Sequence, residues 1–322
     1  MSLLDGKVAI VTGGGRGLGR AHCLALAAHG AAVVVNDPGA GLHGESAGLH
    51  GESAGLHGES TGQSPAEAVA AEITAAGGRA IPDHSSVTDW AATEKLIALA
   101  AAEFGRLDVV VNNAGILRDR MLFSMTEDDF DAVIAVHLKG TFTMTRHACA
   151  YWRDEAKRGT GRGGRIINTT SGTGLFGTVG QANYGAAKAG IVSLTTITAM
   201  EMARYGVTAN AISPIALTRM TAGLDTVVAP GAGPAAGFDP QDPANASGLV
   251  VYLASDAASW LTGQVFRVHG DRVQRLRGWR SAGEYPSKSG GAVQPEELIT
   301  GLPQVYGTAP AGRLPDPALH GA

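Results

Sequence analysis

The sequence predicts a single α/β domain built on a doubly wound parallel sheet, followed by an irregular C-terminal extension. Three observations carry this. Short β-branched runs alternate with alanine-rich helical stretches, and strands apolar on both faces belong to a parallel sheet covered on both sides. The first run passes directly into a glycine-rich turn and then a helix, as at the start of a βαβ unit. Finally, 322 residues with 44% apolar and 17% charged side chains suffice to bury a large core.

In order, the runs are VAIVTG (8–13), AAVVVND (31–37), RAIP (79–82), LDVVVNNAG (107–115), GRIINTTS (164–171), VTANAISP (207–214) and GQVFRVHG (263–270). We place the domain at residues 1–270 and the extension at 271–322. Crossovers between parallel strands are right-handed and ligands bind beyond the strands' carboxyl ends, so chemistry is expected where each strand stops.

Other compositional features exclude whole classes. A net charge of −4 lacks the basic footprint of a nucleic-acid binder. No run of about 20 apolar residues crosses a membrane, and the first residues do not read as a secretion signal, so a cytoplasmic protein is expected. Cys23 and Cys149 read as small buried hydrophobes in helices rather than a bridge. The 46 glycines are about twice an average share.

Part of that excess lies in residues 40–60, where AGLHGES occurs three times. Two glycines and one leucine per seven residues cannot form a coiled-coil seam, so the repeat reads as a surface loop. Its His43, His50, His57, Glu45, Glu52 and Glu59 could be imagined as metal ligands. A flexible insertion before a helix near residues 65–76 explains them better, and no metal is expected.

The glycine turn reads Thr12-Gly13-Gly14-Gly15-Arg16-Gly17-Leu18-Gly19. Gly13, Gly17 and Gly19 allow a tight turn, backbone approach to a pyrophosphate and close helix packing, with Arg16 and Leu18 between them and free helix N–H groups facing the phosphates. This is a Rossmann-type dinucleotide site. The second strand ends at Asp37, eighteen residues after Gly19, where a carboxylate accepts ribose hydroxyls and repels a 2′-phosphate. NAD is the expected cofactor, although Arg16 is also placed to reach a 2′-phosphate.

GQANYGAAKAGIVSL places Tyr184 and Lys188 one helical turn apart. An ammonium beside a phenol favours the phenolate and draws its pKa from about 10 toward neutrality, which suits proton exchange with an alcohol or ketone oxygen. Ser171, at the end of a strand, is positioned to hydrogen-bond the same oxygen.

With these motifs together, the chain resembles the short-chain dehydrogenase/reductase family over residues 5 to about 270, through TGGGRGLG, NNAG at 112–115, Ser171, Tyr184-x-x-x-Lys188 and ISP at 212–214. The resemblance implies that Ser171 orients the substrate oxygen, Tyr184 transfers the proton, and Lys188 tunes Tyr184 while holding the nicotinamide ribose. It places Asn113, Ala114 and Gly115 along the adenosine ribose and neighbouring backbone, Ser86 and Val87 near the adenine, and Pro214 and Thr218 near the nicotinamide. Three positions depart from the family pattern: His137 stands where an asparagine usually anchors a water relay, Ser86 replaces an aspartate, and Ile215 replaces a glycine. His137 has two readings, a packed structural histidine or a titrating relay.

VNDPG, NNAGILRDRM, VHLKGTF, GQANYGAAKAGI, TRM at 218–220 and RLRGWR are similar to the (3R)-hydroxyacyl-CoA dehydrogenase unit of peroxisomal multifunctional β-oxidation enzymes. The resemblance implies NAD-dependent oxidation of a 3-hydroxyacyl-CoA in lipid metabolism by a homodimer or homotetramer. The alternatives are a dehydrogenase of a steroid, terpenoid or other bulky alcohol, with residues 221–240 as a lid, or a non-catalytic NAD-binding module. Arg267, Arg272, Arg275, Arg277 and Arg280 form a dense run that reads either as a reader of CoA phosphates, with Trp279 covering an adenine, or as a solvated or interface-pairing cluster.

Overall fold

All seven β-branched runs fold as strands. In the computed structural model, which describes residues 2–41, 62–216, 237–278, 283–287 and 293–306, they are β1 Val8–Thr12, β2 Ala32–Asn36, β3 Arg79–Asp83, β4 Val109–Asn112, β5 Gly164–Thr169, β6 Val207–Ile215 and β7 Val265–His269. Between and beyond them lie α1 Gly17–Ala28, α2 Pro65–Ala75, α3 Trp90–Phe104, α4 Glu127–Ile134, α5 Gly140–Lys157, α6 Gly172–Phe176, α7 Ala182–Met202, α8 Ser247–Ala254 and α9 Pro295–Tyr306. A π-helical segment, Ala135–Lys139, joins α4 to α5. The spatial order is β3-β2-β1-β4-β5-β6-β7-β8, with β1 to β7 parallel. The chain therefore reverses its direction of winding between β1 and β4, the switch point at which such sheets bind ligands.

The sheet's two faces make two cores. Ala9, Val11, Val33, Val35, Val109 and Val111 pack with residues of α1, α2 and α8, whereas Val8, Ile10, Ala32, Val34 and Val110 pack with residues of α3, α5 and α7. Odd and even positions go to opposite sides because side chains alternate along a strand. Burying each such valine or isoleucine stabilises the fold by about 1.5–3 kcal/mol. α2 starts at Pro65, with Ser64 as its N-cap and Glu67 closing a capping box. A buried polar chain crosses the sheet: Asn112 donates to Asn168 Oδ1 at 2.8 Å and to Thr145 at 3.2 Å, and Asn168 donates to Thr195 at 2.8 Å.

The extension does not begin as irregular chain. Arg272–Leu276 forms β8, antiparallel to β7, and completes the sheet. A charged sequence such as RVQRL folds as an edge strand because an edge needs pairing on one side only and tolerates exposed charge. The compact sheet unit thus runs through Leu276 in its described part, and a smaller unit begins at Arg277. Within the smaller unit, Gly301 of α9 leaves room for the Tyr285 ring, since a Cβ there would lie 2.6 Å from it. This helix was missed because Gly301 and Pro303 break its pattern, although Pro295, Glu296 and Glu297 mark its start. The AGLHGES repeats, Thr218, Arg280 and most of the expected lid lie outside the described residues.

Both cysteines are free, Cys23 buried and Cys149 partly so. Burial raises both thiols, Cys149 to about 12, which makes them unreactive. Among the described residues no helix is long and apolar enough to cross a membrane.

His22 links α1 to α8, with Nδ1 2.9 Å from Ser247 Oγ and a buried Nε2 that has no partner. Burial holds its imidazole down to about 4. An unfolded chain binds this proton near pH 6.5, so the associated stability is complete above about 6.5 and is lost as pH falls toward 4, roughly 3 kcal/mol in all. Chemical denaturation at several pH values should show a shallower acid loss for His22→Gln than for the wild type. Parallel curves would contradict this assignment.

Candidate active site

The glycine turn is held in shape from below. Thr12 Oγ1 accepts the N–H groups of Asn113 (3.0 Å) and Ala114 (3.1 Å), and Asn113 Nδ2 donates to the carbonyls of Thr12 (3.1 Å) and Gly13 (3.2 Å). Gly13 has φ 63°, which favours glycine, and a Cβ on Gly19 would overlap the Gly13 carbonyl. These two glycines let α1 sit directly on the turn. Arg16 provides no side-chain cap to α1, leaving the first N–H groups of the helix uncapped.

Asp37 follows β2 and is buried. Its Oδ2 accepts Gly15 N–H at 3.1 Å and its Oδ1 accepts Gly39 N–H at 2.8 Å, so the carboxylate is fixed beside the glycine turn. A Cβ on Gly15 would lie 2.8 Å from that Oδ2. Arg16 Nη1 instead donates to the Ala40 carbonyl at 3.2 Å. Uncapped helix N–H groups, a close-approach turn and a positioned carboxylate are the parts that an adenosine diphosphate requires, and the residues fit a dinucleotide.

On the other side of the switch point, Ser171 caps the short α6 by accepting Thr173 N–H at 3.2 Å, and its hydroxyl is near enough to the Tyr184 phenol to favour the phenolate. α6 lies close against α7 because a Cβ on Gly174 would come 2.6 Å from Ala189 N. Lys188 is buried one turn along α7, donates to the Thr169 carbonyl at 2.7 Å, and its Nζ lies 5.4 Å from the centre of the Tyr184 ring. Thr169 Oγ1 is buried with no partner at the end of β5.

The electrostatics depart from expectation. Burial pushes the Tyr184 phenol up to about 12, the Ser171 hydrogen bond opposing it and the Asp119 charge adding to it. Burial likewise brings Lys188 down to about 7. Desolvation penalises both charged forms, and Lys188 is aimed at a backbone carbonyl rather than at the phenol oxygen, so it does not draw Tyr184 toward neutrality here.

His137 lies in the π-helical segment, where its Nε2 is 3.1 Å from Ile116 N and 2.8 Å from Ile116 O. Its ring meets the Tyr184 ring edge-on at 5.1 Å. Burial and then the Lys188 charge hold its pKa well below 6.5, opposed by the Ile116 backbone. Gly115 is required beneath it, because a Cβ there would overlap the imidazole.

The residues expected at the adenine and the nicotinamide lie apart from this cluster. Ser86 is exposed and bonds Thr88 of its own turn, while Val87 is buried under Gly140. Pro214 lies in β6 opposite Val268. Among the described residues the arginines form no single patch. Arg267 and Arg275 point to opposite faces of the sheet, since Arg267 pairs with Gln274 in the ladder and Phe266 with Arg275. Conversely, the positions of Thr12, Asp119, Thr173 and Gln181 were not anticipated. Gln181 donates to Asp119 at 2.7 Å and accepts from Thr173 at 2.9 Å, tying the segment beside Ser171 to the loop after β4. No local motif marks such a link, which joins residues 62 apart.

Fold and site define an oxidoreductase of the nicotinamide-dinucleotide class. The family model described as short chain dehydrogenase matches residues 56–227. Hydroxyacyl-CoA dehydrogenase ChsB1 of Mycobacterium tuberculosis is 43% identical over 318 residues, covering 97% of this chain and 91% of that protein. Peroxisomal multifunctional enzyme type 2 of Mus musculus is 39% identical over 294 residues, 91% of this chain but only 36% of that protein. A crystal structure of a short chain dehydrogenase from Mycobacterium avium matches with TM-score 0.81 and 50% identity, covering 98% of each chain. The chain belongs to the short-chain dehydrogenase family.

A histidine held neutral cannot serve as a titrating relay near pH 7. The pH dependence of kcat should therefore be the same in wild type and His137→Asn across the neutral range. An inflection present only in the wild type would restore the relay.

Proposed function

We propose that the enzyme interconverts a 3-hydroxyacyl-CoA and a 3-ketoacyl-CoA with NAD. The observation that carries this reading is the cluster of Ser171, Tyr184 and Lys188 beside the switch point, in a chain similar over nearly its whole length to a hydroxyacyl-CoA dehydrogenase. Bound NAD supplies the hydride acceptor. Ser171 holds the substrate oxygen, and the protonated Tyr184 gives it a proton as hydride reaches the carbon in the reductive direction. The resulting phenolate is the base that takes the carbinol proton in the reverse direction. Lys188 faces both the ring and Thr169 and orients the ribose. Asn113 acts through the turn that it clamps, Ala114 and Gly115 continue that wall, and Pro214 flanks the nicotinamide.

Asp37 supports NAD over NADP, because a carboxylate held by two backbone N–H groups cannot move away from a 2′-phosphate, while Arg16 is engaged by a backbone carbonyl. Exposed Leu122, Phe123 and Val179, on either side of the Arg120–Gln181 bridge, suit an apolar acyl chain. Exposed Phe142, Ile197 and Met200 on α5 and α7 suit pairing of copies into a homodimer or homotetramer.

Tyr184→Phe should keep NAD binding and lose at least about 10²-fold in kcat, the scale of general acid–base catalysis. Turnover within a few-fold of wild type would overturn the proton-transfer role. Asp37→Ala should weaken NAD binding and narrow the NAD/NADP preference, read by titrating both cofactors; a wild type that prefers NADP would reverse the cofactor assignment. A panel of 3-hydroxyacyl-CoA esters and bulky secondary alcohols, followed by NADH formation, tests the substrate, and exclusive turnover of the bulky alcohols would refute the acyl-CoA reading.

A further inference from the structure

Arg267 occupies an interior position of β7, between β6 and β8 in the sheet. It is 5% exposed, and its Nε is buried with no hydrogen-bond partner. Among the described residues no carboxylate pairs with it. Its guanidinium lies over the Phe176 ring, 5.3 Å from the centre, and its Nη2 is 3.6 Å from where a Cβ on Gly172 would sit. The charge is thus brought to the residue that follows Ser171.

Such an arrangement costs stability by itself. A guanidinium stays protonated in proteins, and a buried charge without an opposite partner is strongly unfavourable. Burial lowers the Arg267 pKa, and no acidic group among the described residues opposes it. An aromatic face compensates only in part. Elsewhere in the sheet, buried Arg165 has Asp256 at 3.5 Å and the carbonyls of Gly164 and Gly206 at 3.0 and 3.3 Å. Arg267 lacks an equivalent and faces the segment that shapes the substrate side of the site.

We infer that Arg267 binds the C1 oxygen of the substrate, the carbonyl of a 3-hydroxyacyl thioester, and selects substrates that carry it. The inference rests on the proposed hydroxyacyl reading. In such a substrate the C1 carbon stands two carbon–carbon bonds, each about 1.5 Å, from the carbinol carbon whose oxygen meets Ser171. A donor beside Gly172 is therefore in the neighbourhood that C1 must enter. A charged donor to an oxygen acceptor is stronger than a neutral one and fixes direction, so it sets which side of the carbinol carries the acyl thioester. A free carboxylate offers the same acceptor chemistry at C1, whereas a plain secondary alcohol offers none.

The test compares three substrates of equal chain length, a 3-hydroxyacyl pantetheine thioester, the free 3-hydroxy acid and a 2-alkanol, with wild type, Arg267→Met and Arg267→Lys in the presence of NAD. Arg267→Met should reduce the thioester-to-alkanol ratio of kcat/KM at least about tenfold, the scale of a hydrogen bond to a charged group, with Arg267→Lys between it and wild type. Its Tm should not fall, because the substitution removes an unpaired buried charge. An equal loss on thioester and alkanol, or a lowered Tm with an unchanged ratio, would make Arg267 structural and overturn the inference. If wild type turns over the free acid but not the thioester, and Arg267→Met loses that activity selectively, the C1-oxygen site stands and the thioester reading of the function falls. Turnover of the alkanol alone would refute both.

Discussion

The parallel pairing of β1 with β4 and of β4 with β5 is the constraint from which the rest of the site follows. Parallel strands joined by right-handed crossovers end on one edge, so Thr12, Asn113 and Thr169 arrive together although they are distant in sequence. Thr12 then receives the N–H groups of Asn113 and Ala114, and Thr169 receives the ammonium of Lys188. A one-residue slip of β4 would turn its side chains to the opposite core and remove Asn112 from Asn168. The register that satisfies both cores is also the register that builds the site.

A second theme is incomplete satisfaction of polar groups around the reaction centre. Through the middle of the sheet, Asn112, Asn168 and Thr195 satisfy one another in sequence. Near the cofactor and substrate side, Thr169 Oγ1, His137 Nδ1 and Arg267 Nε are buried without partners. Groups left in that condition are costly, and a protein retains them where another molecule completes them or where packing requires the ring. His137 belongs to the second case, since its other nitrogen is bonded and Gly115 leaves space for it.

Burial also explains why the acid–base pair differs from its simplest reading. Proximity of Lys188 to Tyr184 suggests mutual stabilisation of ammonium and phenolate. Lys188 is buried and Tyr184 partly so, and the loss of solvation outweighs an attraction across 5.4 Å to the ring centre. The spacing of the two residues is a property of one helix, whereas their protonation depends on everything packed around that helix.

The same distinction separates what could be read in the sequence from what could not. The order of seven strands, the glycine turn, Asp37 and the grouping of Ser171 with Tyr184 and Lys188 were legible, because each depends on periodicity, on turn chemistry or on short spacing along one element. β8 was not, because a charged edge strand is defined by the neighbour it pairs with, and α9 was hidden by Gly301 and Pro303. The Asp119–Gln181–Thr173 link, the neutral state of His137 and the separation of Arg267 from Arg275 onto opposite faces were also beyond local pattern. The amino-acid sequence by itself determined the winding of the sheet and the spacing of Ser171, Tyr184 and Lys188. Only the tertiary structure decided the direction in which burial shifts their titration and which arginine lies over Phe176, since desolvation and contacts between distant segments exist only after the chain has folded.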